Sequence, residues 1–174
     1  MRKGADAKQS RQVEPIKKAI MLEMHGLQFY QVAAERCTTQ GAREIFQDLA
    51  KDEVKHRAEL ERQFRSILKQ GKWKPPSPSK RAGLKFKDPV IDPSMKKDVN
   101  GVWFDSAALQ IGLMLEKRAM QYYQRQAQSA DDPDMKALFQ WLWEWEGGHL
   151  KRLLALEKAM REEMWNESRF WPMA

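Results

Sequence analysis

The chain has almost no thiol chemistry to offer. Of its 174 residues only Cys37 is a cysteine, which excludes an internal disulfide and every Cys-x-x-Cys metal or redox motif, and agrees with a reducing cytoplasm. It lacks any run of 18 apolar residues, and Met1 to Gln12 contains no hydrophobic stretch of the export-signal kind, so a soluble cytoplasmic protein without a membrane partner is expected. Proline is scarce outside one stretch: five of the eight prolines fall between residues 71 and 103. The formal charge of +7 is also localised, because residues 1–12 and 71–103 together sum to +8 and leave the rest at −1. A near-neutral body with basic peripheral segments carries solubilising charge, and no nucleic-acid partner is expected. Histidine is rare, with three in the chain. Any pattern that two of them share therefore carries weight.

Helical periodicity appears in four stretches, about 15–37, 42–70, 105–129 and 133–165. In the first, Ile16, Ile20, Glu23, Leu27, Tyr30 and Ala34 fall on one stripe, and Pro15 suits a first helical turn. In the second the inner face reads Ile45, Phe46, Leu49, Glu53, His56, Leu60, Phe64 and Ile67 or Leu68, with Gly71 placed to end it. The third turns Leu109, Leu113, Glu116, Met120, Tyr123 and Ala127 inward. The fourth opens on an acidic cap, Asp131-Asp132-Pro133-Asp134, and carries Leu138 or Phe139, Leu142, Glu146, His149, Leu153 and Leu156. Residues 1–12 read as a flexible basic segment, 71–104 as an irregular crossover and 166–174 as a tail, leaving 13–165 as one bundle. A connector that long needs a reason within a compact domain. A bundle whose second and third helices run parallel supplies one, because the chain must travel its length between them.

The informative pattern occurs twice. Glu23, Tyr30, Glu53 and His56 recur 93 positions later as Glu116, Tyr123, Glu146 and His149. Each half supplies a lone Glu and then a Glu-x-x-His pair. On four facing helices this is the ligand inventory of a dinuclear carboxylate centre. A Glu and a His three positions apart share one helix face, so one ion can take the His while the Glu reaches toward a neighbouring ion. Four buried carboxylates are tolerable only if compensated, and two divalent ions do so. Oxygen-rich ligation with one imidazole per ion suits iron or manganese, and zinc also fits. An isolated Glu-x-x-His is more often a surface pair; here two of the three histidines have it, each with a Glu 30 positions upstream. Glu53 and Glu146 are the expected bridges.

Tyr30 and Tyr123 each stand two turns after a lone Glu, so their hydroxyls are expected to swing back onto the carboxylates. His25 falls off the inner face and reads as a surface residue. Trp143 is placed to wall the site, and Trp141 and Trp145 share another stripe that could meet a second copy. Ordinary packing is the default for all three; exposure of that pair would favour the homodimer, which is the expected assembly. Cys37 at a helix end reads as incidental. Gly147-Gly148 lies inside the second Glu-x-x-His at a cost of roughly 1 kcal/mol per glycine. Close helix approach, substrate access or a π-bulge would account for it.

These motifs resemble the ferritin-like domain of the rubrerythrin family. Leu22-Glu23 through Tyr30, Ile45-Phe46 through Glu53-Val54-Lys55-His56, Leu115-Glu116 through Tyr123 and Leu138-Phe139 through Glu146-Gly147-Gly148-His149 carry the likeness. It implies an all-α, ferritin-like four-helix bundle of two hairpins joined by a long crossover, with two iron ions held by Glu23, Glu53, His56, Glu116, Glu146 and His149. The implied activity is reduction of hydrogen peroxide. Two departures qualify it: Ala119 stands where ligand-switching members carry a further Glu, and one cysteine cannot build a rubredoxin site, so electrons would come from an external rubredoxin-like donor. Binding or oxidising ferrous iron with oxygen, for storage or transfer, is the alternative activity. A structural or interaction module with a vestigial site is a third reading.

Overall fold

A computed structural model describes residues 2–76 and 99–167. Four helices make up the fold: α1 Arg2–Arg36, α2 Gln40–Gln70, α3 Val99–Ser129 and α4 Pro133–Glu167. α1 packs most extensively on α2 and α3 on α4, while α1–α3 and α2–α4 contacts close the bundle.

Local chemistry explains the ends. Thr39, extended at φ −87°, accepts at its side chain from the Ala42 N–H and caps α2. Gly71 ends that helix at φ 64°, a left-handed conformation in which a β-carbon would be strained, and its N–H returns to Ile67 O. Asp132 Oδ1 accepts from the N–H groups of Asp134 and Met135 at 2.9 and 3.1 Å, the expected acidic cap.

Two boundaries differ from the sequence expectation. α1 begins at Arg2, so the segment expected to be flexible is helical and Pro15 stands inside the helix, where it removes one backbone donor and its ring crowds the carbonyl of the preceding turn. α3 begins at Val99, which leaves Asp105 within a helix rather than at its start. The central part of the expected crossover, 77–98, and residues 168–174 of the expected tail lie outside the described residues. The first crossover residues are tied to α2. Gln63 Nε2 donates to Lys74 O at 2.8 Å, Lys74 N–H donates to Gln63 Oε1 at 3.0 Å, and buried Trp73 meets Phe139 edge-on.

The apolar core is divided into two clusters. One gathers Leu27, Tyr30, Phe46, Leu49, Leu109, Leu113 and Leu153; the other gathers Ile16, Leu60, Ile67, Tyr123, Leu138, Phe139 and Leu142. The 93-residue offset maps one onto the other, Tyr30–Phe46 stacking at 5.9 Å and Tyr123–Phe139 at 6.0 Å. The order of the clusters along each helix makes α1 and α4 run one way and α2 and α3 the other. α2 and α3 are therefore parallel, as the crossover argument requires. Both Leu138 and Phe139 are inside, and of the pair Ile67 and Leu68 it is Ile67, with Leu68 50% exposed.

Candidate metal centre

The layer between the two clusters is polar. Glu23, Glu53, His56, Glu116, Glu146 and His149 are all buried there, one face of each helix contributing. Their ligand atoms form two groups within 4.8 Å: Glu23, Glu53, His56 and Glu146, and Glu53, Glu116, Glu146 and His149. Glu53 and Glu146 belong to both. Each imidazole presents Nδ1 inward. His56 Nδ1 lies 3.0 Å from Glu23 Oε2 and 3.2 Å from Glu146 Oε1, and His149 Nδ1 lies 2.8 Å from Glu146 Oε2 and 3.4 Å from Glu116 Oε1. The rings stack at 5.3 Å.

The electrostatics of this layer follow from burial. It pushes Glu23 and Glu116 well above the ordinary carboxyl range, helped by neighbouring carboxylates, Glu53 and Glu146 at Glu23 and Glu146 at Glu116. Burial also presses Glu146 upward, but His149 and His56 overcome it and hold this carboxyl well below its usual value. Glu53 is held low in the same way by Glu23, His149 and His56 against burial and the charge of Glu146. Both imidazoles are raised despite burial, His56 by Glu23 and Glu146, His149 by Glu146 and Glu116. Anionic oxygens thus draw positive charge into the layer.

Glu146 tests whether metal ions fit. Neither of its buried oxygens has a satisfied hydrogen bond among the described residues. A buried carboxylate so placed is costly unless a cation lies against it. Four carboxylates and two imidazole Nδ1 atoms suit hard or borderline divalent ions.

The tyrosines do reach the carboxylates, but across the bundle. Tyr30 donates to Glu116 and Tyr123 donates to Glu23. Because α1 and α3 are antiparallel neighbours, each hydroxyl leaning toward its own N-terminus meets the lone Glu of the opposite helix. Burial and those carboxylates push both phenols well above their ordinary value, so they remain donors.

Ordinary packing, the default for the tryptophans, describes Trp141 and Trp145. Trp141 and Trp145 do not form an outward stripe; their rings stand edge-on to His56 at 5.5 and 5.1 Å, and Trp141 is buried. They wall the layer beside His56, while half-buried Trp143 packs against the second apolar cluster. α4 is continuous α-helix through Gly147-Gly148, which removes the π-bulge explanation. A β-carbon on Gly147 would find only Met120 Cε, at 3.6 Å.

Three features escaped the sequence reading. Asp52, one residue before Glu53, places Oδ2 3.5 Å from His149 Nε2 and is itself held by Lys55 at 2.7 Å and Arg152 at 2.8 Å. Those contacts keep its carboxyl below the ordinary range although burial opposes them. Asp105 accepts from Thr38 N–H, Thr38 Oγ1 and Thr39 N–H, joining α3 to the α1–α2 turn. Finally, a cleft of about 90 Å³ opens between α1 and α3 onto Glu23, Glu53, Glu116 and Glu146. Gly26 and its offset partner Ala119 keep it open, and exposed His25 and Arg118 stand along it. The unequal pair Asp52 and Trp145 at one offset was the available signal for the first; nothing local in sequence marks the other two.

Comparison with known proteins follows the same lines. A rubrerythrin family model matches residues 14–157. A hypothetical protein from Pyrococcus furiosus superposes with a TM-score of 0.64 at 23% identity, over 86% of this chain and 89% of that one. A two-domain protein from Anabaena variabilis containing DJ-1/ThiJ/PfpI-like and ferritin-like domains gives 0.62 at 14% identity, over 95% of this chain and 40% of that one. At such identities these two structures speak for the fold alone. No curated protein matches the chain.

Proposed function

The chain belongs to the rubrerythrin family, and from that premise we propose that it is a di-iron oxidoreductase that reduces hydrogen peroxide with electrons from an external, rubredoxin-like donor. The observation that carries this reading is the pair of overlapping ligand groups sharing Glu53 and Glu146. Glu23 and His56 would hold one ion, Glu116 and His149 the other, with Glu53 and Glu146 reaching both. When bound, two redox-active ions there supply the electron pair for a reaction in which one peroxide, two electrons and two protons yield two waters.

The chain's own residues do the rest. Tyr30 and Tyr123 hold protons at Oη and fix the orientation of Glu116 and Glu23. The two apolar clusters close both ends of the layer to bulk water. The cleft between Gly26 and Ala119 leaves room for a molecule the size of peroxide to approach the carboxylates.

Stopped-flow mixing of the anaerobically iron-loaded protein with peroxide, and separately with oxygen, tests the proposal. Peroxide should oxidise the centre faster. Faster oxidation by oxygen would instead make the protein a ferroxidase that handles iron. Filling the cleft with Ala119→Leu should slow oxidation by peroxide while iron content stays unchanged.

A further inference from the structure

We propose that the two metal positions bind with unequal affinity, the Glu116–His149 position filling before the Glu23–His56 position, and that Asp52 and Trp145 set the difference. This rests on the dinuclear reading given above.

The ligands and the tyrosine contacts obey the 93-residue offset, but the groups behind the histidines break it. Asp52 and Trp145 are offset partners. Each stands behind the histidine of the other half. His149 turns Nδ1 toward Glu146 and Glu116, which leaves Nε2 as its outer nitrogen, 3.5 Å from Asp52 Oδ2. That distance attracts but is longer than a formed hydrogen bond. The carboxylate is anchored by Lys55 Nζ on one oxygen and Arg152 Nη2 on the other. A carboxylate behind the outer N–H of a ligating imidazole fixes its tautomer and orientation and makes the inner nitrogen a better donor.

On the opposite side His56 also turns Nδ1 inward, 3.0 Å from Glu23 and 3.2 Å from Glu146. Its Nε2, like that of His149, is buried without a formed hydrogen bond among the described residues. No carboxylate among them, however, stands against it as Asp52 stands against His149. The indoles of Trp145 and Trp141 flank the ring edge-on. An indole offers a donor and no acceptor, so it cannot attract an outer N–H as the Asp52 carboxylate does on the other side. Packing positions the His56 ring, whereas among the described residues no acceptor at Nε2 selects the tautomer that leaves Nδ1 free to bind.

The test is an anaerobic titration of the metal-free full-length protein with cobalt(II), followed by its visible absorption. Two ions per chain should bind in two resolved steps, the first about 10- to 100-fold tighter. His149→Gln should abolish the tight step and His56→Gln the weak one. Asp52→Asn should weaken the tight step by about 10- to 100-fold and leave the weak step unmoved, with Asp52→Glu recovering part of the loss. A residue serving only stability would not act on one step alone. Two steps of equal affinity, or equal weakening of both by Asp52→Asn, overturn the inference and leave the dinuclear reading standing. Uptake of fewer than two ions overturns that reading and the inference with it.

Discussion

Glu53 and Glu146 belong to both ligand groups, whereas Glu23, His56, Glu116 and His149 each belong to one. Replacing a shared carboxylate should therefore cost more than replacing an unshared one. Elemental analysis of the iron-loaded protein should find both ions lost in Glu53→Ala or Glu146→Ala and about half the iron retained in Glu23→Ala. Cys37 is 1% exposed, and burial, with Asp105 beside it, pushes its thiol well above the ordinary value. The thiolate is the reactive form, and a raised value keeps the thiol protonated through neutral and mildly alkaline pH. Iodoacetamide should thus leave Cys37 unmodified at pH 8 in the folded protein and label it fully in denaturant, as read by mass spectrometry. At Gly147 the β-carbon of an alanine would make only an ordinary contact with Met120. Gly147→Ala should stabilise the protein by about 1 kcal/mol in urea unfolding. Gly26 differs, since a β-carbon there would lie 3.3 Å from the carboxylate of Glu53. The first of the paired glycines is therefore not required by packing, while the lone one is crowded against a shared ligand.

At the scale of elements, the α1–α2 turn is held from outside its own hairpin. Asp105, fully buried on α3, accepts from Thr38 and Thr39 N–H groups at 3.0 and 2.9 Å. Asp105→Ala leaves the buried Thr39 N–H without its acceptor and frees the part-buried Thr38 N–H, and the loss should be about 1–3 kcal/mol in denaturant unfolding. Periodicity located all four helices, because each buries one stripe and the stripe is written in residue spacing. It could not locate the start of α1, since Pro15 signals a first turn and yet is accommodated inside a longer helix. Nor could it recognise Asp105 as a clamp, because its partners lie 66 and 67 positions away on another hairpin.

For the whole molecule, the polar layer divides one bundle into two apolar clusters, so its charge balance bears on stability everywhere. Metal ions that bind only the folded chain stabilise it by mass action, about 2.7 kcal/mol at a free concentration 100 times the dissociation constant. Manganese(II) should accordingly raise the melting temperature in differential scanning calorimetry, and a chelator should reverse the rise. Among the described residues no helix is long and apolar enough to cross a membrane. The pseudo-twofold relation that sets the layer midway also makes α1 and α3 antiparallel neighbours. That arrangement exchanges the tyrosine contacts between halves and opens the cleft beside Gly26 and Ala119.

By itself the sequence determined the helical hairpins, the six buried donors and their duplication, because spacing along a helix decides which residues share a face and an offset decides which faces are equivalent. Only the tertiary structure decided which groups meet across helices: Tyr30 with Glu116, Tyr123 with Glu23, Asp52 with His149 and Trp145 with His56. The physical reason is that such pairings depend on helix direction, axial level and side-chain lean, and residue spacing within one helix carries none of these.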